Sequence, residues 1–340
     1  MSNYSYNFST GVVIIDEHVL GGRVLRKIPV GYQLCGDLGP KKRVILIGHP
    51  LTATRRVGGP FGFWRSIIDP GAPLDLDRYC VLAINGFCNI RKSENRFSPG
   101  PWTIDQETGL PYGVTFPEFN IVDQAELCAV VLTHLGIKEV YAAMGASGGG
   151  KAVLTFAAHC QAFDVRKIIM VAGPGLYTHP YCQGKMREWV RAIEQDPLWC
   201  GGDYSSSEQP QQGLLNALTR LAFDSTSFEA LEGKSLETSV DESARRLLRT
   251  TDARGLRWSA ISGMRYDVRG QISNLQGKEL LFIPIASDQF FPTKLSVNAK
   301  NALEKEGIRA QLYEIQSLGG HEDCVSQIGL AGEAIRQFLA

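Results

Sequence analysis

Two hydrophobic periods alternate along this chain. Short unbroken apolar runs stand at 43–47 (RVILI), 80–84 (CVLAI), 140–144, 167–172 and 280–285. Continuous apolarity, in place of in-out alternation, predicts strands buried on both faces, as in a parallel sheet covered by helices. Between these runs, apolar residues return at helical spacing. Ala125, Cys128, Ala129, Leu132 and Leu135 form one stripe, as do Val153, Phe156, Ala157 and Cys160, and finally Ile328, Ala331, Ile335, Phe338 and Leu339. Alternating β and α units predict an α/β fold with a mostly parallel, doubly wound sheet. The looser alternation at 12–15 and 24–34 predicts antiparallel edge strands, and 311–315 predicts a further strand before the last helix.

Residues 176–275 break this rhythm. They carry Trp189, Trp199 and Trp258, a Gly-Gly-Asp-Tyr stretch at 201–204, a polar Ser/Gln run at 205–212, and helical patterns at 214–223 and 243–248. No strand pattern occurs there. The expected organisation is a sheet domain made of 1–175 and 276–340, with 176–275 inserted as a helical lid.

With 44% apolar and 21% charged residues the chain can build a sizeable core, which excludes wholesale disorder. Its 35 basic and 35 acidic side chains cancel, so it lacks the field that a nucleic acid or an anionic membrane partner would require. No apolar run reaches bilayer length and the N-terminus lacks a leader pattern, so a cytoplasmic location is expected. None of the eight cysteines forms a CxxC pair, which predicts buried thiols and no metal site.

The sharpest local signal is Gly145-Ala-Ser147-Gly-Gly149 between the run at 140–144 and a helical stripe. A strand, a Gly-x-Ser-x-Gly turn and a helix are the context of a nucleophile elbow, whose strained serine tolerates only small neighbours. The alternatives for such a turn are capping the helix or binding phosphate, although the glycine spacing of a P-loop or a dinucleotide fold is missing. A serine nucleophile needs a base and a carboxylate, in the order Ser, Asp/Glu, His along this kind of chain. Asp288 follows the run at 280–285, and His321 follows the predicted strand at 311–315. Ser147, Asp288 and His321 are therefore the expected catalytic set. The Gly148 amide at the helix start and the Leu51 amide, in the loop after the first run, are the expected oxyanion donors, since Pro50 has no N–H. His49 is expected to shape that loop.

These residues bring a family into view. The chain resembles the homoserine O-acetyltransferases and their succinyl-transferring relatives, of the α/β-hydrolase superfamily, over nearly its whole length. The resemblance rests on Gly48-His-Pro-Leu-Thr52, Asp75-Leu-Asp-Arg-Tyr79, Thr108-Gly-Leu-Pro-Tyr-Gly113, His134-Leu-Gly-Ile137, the serine elbow, Asp196-Pro-Leu-Trp-Cys-Gly-Gly-Asp-Tyr204, Ser287-Asp288 and Gly320-His321. It implies an α/β-hydrolase fold with a helical lid, acyl transfer from a CoA thioester through the serine to an amino-acid hydroxyl, no permanently bound cofactor, and a homodimer through the lid helices.

Four features depart from the family pattern, the first being Gly148 where the residue after the serine is usually methionine. The arginine that grips the acceptor carboxylate corresponds here to Leu218. Arg220, two residues on, is the candidate substitute, although two helical steps turn it about 200° around the axis. The aspartate after the catalytic histidine is Glu322, a second candidate acceptor contact. The run 85–96 lacks the family's Gly-rich sequence, and its Arg91, Lys92 and Arg96 are candidates for CoA phosphates, with a plain solvated loop as the alternative. These changes make hydrolysis of the acyl-enzyme by water the main rival to transfer, and a non-catalytic binding protein a weaker one.

Overall fold

The computed structural model describes residues 8–39, 42–205, 208–227, 230 and 236–340. Residues 1–7, read above for a leader, and 206–207 of the polar run lie outside it. The strands are β1 (Phe8–Leu20), β2 (Arg23–Cys35), β3 (Arg43–Gly48), β4 (Ile68–Asp69), β5 (Leu74–Asp75), β6 (Tyr79–Ile84), β7 (Ala142–Ala146), β8 (Lys167–Val171), β9 (Glu279–Ile283) and β10 (Arg309–Leu312). The helices that matter below are α1 (Ile121–His134), α2 (Gly148–His159), α3 (Pro180–Glu194), α4 (Gln211–Ser225), α5 (Leu236–Leu248), α6 (Ala253–Met264), α7 (Thr293–Lys305), α8 (Asp323–Ser326) and α9 (Gly332–Leu339).

Eight strands form one sheet in the order β1-β2-β6-β3-β7-β8-β9-β10. β1, β2 and β6 pair antiparallel and every pair from β6 to β10 is parallel. This is the α/β-hydrolase arrangement. The apolar runs are continuous because both faces are covered. In β3, Val44 and Leu46 enter the core on one side of the sheet while Ile45 and Ile47 enter the core on the other. In β9, Leu280 and Phe282 divide from Leu281 and Ile283 in the same way.

Some boundaries differ from the pattern. The strand expected at 140–144 begins at Ala142 and extends to Ala146, directly under the serine. The strand expected at 311–315 is β10 at Arg309–Leu312, and Ile315 makes only an isolated bridge to Ile285. The chain from β8 to β9 carries α3 to α6, with α3 packed on α4 and α6 and α4 packed on α5. Only α4 and α5 were visible as stripes; α3, which opens on Pro180 with His179 as its cap, and α6, capped by Asp252, were not.

The Pro-x-Trp-x-Gly-Gly-Asp-Tyr segment holds this helical layer together. Asp196 accepts from Leu198 N and from Gly213 N at the start of α4. Trp199 packs on Tyr204 and Trp258, and Tyr204 donates to Asp252.

After β3 the chain crosses to β6 on one side and then to β7 on the other, so the carboxyl ends of β3 and β7 flank a switch point where crevices form. Three glycines let the backbones meet there. A Cβ on Gly149 would lie 2.1 Å from Gly48 O, and one on Gly145 would lie 2.3 Å from Gly149 O. Gly149→Ala is expected to cost about 3 kcal/mol, since backbone against backbone cannot yield as a side chain can. Gly184→Ala in α3, where a Cβ meets nothing within 4 Å, is expected to gain up to about 1 kcal/mol. Chemical denaturation of the two variants measures both.

Candidate active site

Ser147 caps α2 with φ 53° and ψ −117°, a conformation that side chains other than hydrogen rarely adopt. The strain is held by its N–H bond to Val171 O at 2.8 Å and by the glycine contacts beneath it. The turn projects the hydroxyl over the carboxyl edge of the sheet. Ser147 Oγ lies 2.9 Å from His321 Nε2, and His321 Nδ1 lies 2.7 Å from Asp288 Oδ2. All three side chains are buried.

Each partner is positioned by its own loop. Asp288 Oδ1 accepts from Phe290 N at 2.7 Å and Phe291 N at 2.9 Å, which leaves Oδ2 for the imidazole. The Phe290 and Phe291 rings pack on the His321 ring, with centroids at 5.2 and 5.5 Å. Gly320, at φ 79°, donates to Ser287 Oγ at 3.0 Å and ties the histidine loop to the aspartate loop. The arrangement can pass the serine proton to Nε2 while the carboxylate holds the tautomer that keeps Nε2 free.

Gly148, the first residue of α2, has an amide without an intrahelical acceptor. The Leu51 N–H donates to no backbone acceptor among the described residues, and it lies 4.0 Å from where a Cβ on Gly148 would sit. Leu51 and Gly148 thus stand close together, and both line the cavity at Ser147. His49 bonds its own loop through Nδ1 and Pro50 O at 3.0 Å, and desolvation lowers its pKa.

A cavity of about 730 Å³ opens at this point, lined by Ser147, Gly148, Leu51 and His321 together with residues of α3, α4 and α6. Glu322 is among its lining residues and is exposed. Arg220 does not reach it. Leu218 and Leu221 occupy the buried face of α4, and Arg220 is turned away onto the outer surface, 56% exposed and 4.0 Å from Glu188. The candidate contact at Arg220 is thus corrected: helical geometry places it outside the site.

Of the basic loop, Arg91 lines the cavity, whereas Lys92 and Arg96 do not. The sequence reading missed Arg56 and Arg246, which also line it and are exposed. Desolvation and the neighbouring Arg246 charge lower the Arg91 pKa, and no carboxylate pairs with Arg91 among the described residues. Glu94, within the same segment, is buried instead against Arg55 and Asn85.

All eight cysteines are free thiols. Among the described residues no cluster of histidine, cysteine or carboxylate side chains is arranged to hold a metal, and no helix is long and apolar enough to cross a membrane.

No family model matches the chain. It is similar to the homoserine O-acetyltransferase of Methanocorpusculum labreanum, 30% identical over 97% of this chain and 74% of that protein. The crystal structure of homoserine O-acetyltransferase from Bacillus anthracis superposes with a TM-score of 0.87 at 27% identity, covering 97% of each chain. The crystal structure of an esterase superposes with a TM-score of 0.90 at 24% identity, covering 98% of this chain and all of its own.

Proposed function

From the premise that this chain belongs to the homoserine O-acetyltransferase family, we propose that it moves an acyl group from a CoA thioester to the hydroxyl of a small molecule through an acyl-enzyme on Ser147. The chain is an enzyme of the α/β-hydrolase superfamily whose chemistry is acyl transfer or hydrolysis. The observation that carries the acyl-enzyme proposal is the hydrogen-bonded line from Ser147 Oγ through His321 to Asp288.

In the first half-reaction His321 Nε2 takes the serine proton as Oγ attacks the thioester carbonyl. The tetrahedral oxyanion sits between the Leu51 and Gly148 amides, each donor worth about 3 kcal/mol in systems of this kind. Collapse breaks the C–S bond, and the imidazolium protonates the departing thiolate. In the second half-reaction His321 takes the proton of the acceptor hydroxyl, whose oxygen attacks the acyl carbon, and the proton returns to Ser147 as the ester leaves. Asp288 orients the imidazole throughout and supports its positive charge.

Arg91, Arg56 and Arg246 line the cavity and are the candidates for the CoA phosphates. Arg91→Ala is expected to raise the KM for acetyl-CoA about tenfold while leaving that for a small nitrophenyl ester unaltered, because the ester carries no phosphate. Steady-state kinetics with the two donors measures it.

A second reading has its own observation. Leu218 is fully buried and Arg220 faces outward, so among the described residues α4 presents no arginine to the cavity. This favours water as the acceptor. Thiol release from acetyl-CoA, measured with and without a panel of amino-acid alcohols, tests the choice. Transfer predicts acceleration by one alcohol and recovery of its ester. Release indifferent to every alcohol, with rapid turnover of plain esters, overturns transfer in favour of hydrolysis.

A further inference from the structure

Lys151 is one helical turn beyond Ser147 on α2 and lines the same cavity, yet it is only 2% exposed. No carboxylate lies within ion-pair distance of it among the described residues, whereas Lys185 on α3 has Asp224 at 3.2 Å. One bond, to Gly263 O at 3.2 Å, serves its ammonium, and that carbonyl also accepts from Thr178 Oγ1 at 2.7 Å. Nζ also sits 5.3 Å from the Phe291 ring centroid, Met186 packs on Gly263 beside it, and the buried Cys182 thiol is near enough to act on its charge. Next to Gly263, Ser262 also lines the cavity, and its buried Oγ has no hydrogen-bond partner among the described residues.

A buried ammonium with donors to spare is costly unless an anion completes it. Burial pushes the Lys151 pKa down to about 7, the mark of a group short of a counter-charge. The Phe291 ring touches both this ammonium and the His321 imidazole, so the subsite adjoins the reacting centre. Four helical steps take the chain from Ser147 to Lys151, about 6 Å along the axis.

We propose that Lys151 and Ser262 form a subsite inside the cavity for a carboxylate carried by one of the two substrates, either at the far end of the acyl group or on the acceptor. This rests on the acyl-enzyme reading for its place in the reaction, but not for the existence of the subsite. A carboxylate there replaces the lost hydration of the ammonium and gives the Ser262 hydroxyl an acceptor. It also supplies a positive contact inside the cavity at a different place from the missing α4 arginine.

The experiment compares wild type, Lys151→Met and Ser262→Ala, each checked for an unaltered melting profile. In the donor arm, acyl-adduct formation is followed by intact mass with succinyl-CoA and with butanoyl-CoA, which match in length and differ in the terminal charge. In the acceptor arm, homoserine is compared with 3-amino-1-propanol, which lacks its carboxylate. Lys151→Met is expected to shift one of the two ratios about 100-fold against the carboxylate, and Ser262→Ala to shift the same ratio about fivefold. The arm that moves identifies which substrate carries the anion. A third arm needs no turnover: calorimetric titration of free succinate and of homoserine into wild type and Lys151→Met, with at least tenfold weaker binding of one ligand expected in the variant. Folded variants in which neither ratio nor either affinity moves overturn the subsite. Failure of every thioester to label Ser147, with carboxylate binding still dependent on Lys151, overturns the acyl-enzyme reading alone.

Discussion

Ser147→Ala is expected to eliminate the acyl adduct with every CoA thioester and to lower kcat by roughly 10⁶-fold, leaving only what the oxyanion donors and binding supply. The size follows from the chemistry. Without Oγ there is no covalent intermediate, and His321 and Asp288 have nothing to activate. The variant should fold, because among the described residues Ser147 Oγ bonds only to His321 Nε2 and the elbow is held by backbone contacts. A further comparison isolates the backbone. Ser147→Gly is equally inactive but should be about 1 kcal/mol more stable than Ser147→Ala, since glycine adopts φ 53°, ψ −117° without the Cβ clash. Intact mass with acetyl-CoA reads the adduct and urea unfolding reads the stability difference. An alanine variant that still carries acetyl at this position would place the nucleophile elsewhere.

Asp288→Asn is expected to reduce kcat by about 10⁴-fold with little change in fold. The amide oxygen can keep accepting from the Phe290 and Phe291 amides, as Asp288 Oδ1 does at 2.7 and 2.9 Å. Its NH₂ group then faces His321 Nδ1 and donates, which forces the ring proton onto Nε2. That nitrogen can no longer receive the serine proton. The imidazolium also loses the carboxylate that balanced its charge. The effect should fall on adduct formation and on its discharge alike, because both pass through His321. Stopped-flow thiol release and adduct decay measure the two steps separately. Equal rates in the variant and the wild type would remove Asp288 from the proposed mechanism.

Much of the sheet could be read from the chain because the physical signal is local. A parallel strand covered on both faces must be apolar at consecutive positions, so the runs at 43–47, 80–84 and 280–285 mark β3, β6 and β9. Their ends are less legible: Ile285 and Ile315 extend the apolar pattern as a lone bridge and not as strand. In the helical layer α4 and α5 carry one-sided stripes. α6 does not, for Arg254 is buried along with its leucine and alanine neighbours through an ion pair with Asp252. A charge made buriable by a partner carries no signature in the pattern.

The sequence by itself determined the two periods, and with them the fold class and the small-residue turn around Ser147, because each is a property of neighbouring residues. It also indicated which Asp and which His follow strands. That Ser147, Asp288 and His321 stand within hydrogen-bond distance, that Arg220 faces outward, and that Lys151 lies buried with no acid paired to it among the described residues are decided by the tertiary structure. The reason is that these facts depend on which faces of distant elements meet. One helical step is 100°, so two residues of sequence separate a cavity wall from the outer surface of α4. Burial of an ammonium depends on what packs over it, here Gly263 from a helix over a hundred residues away along the chain.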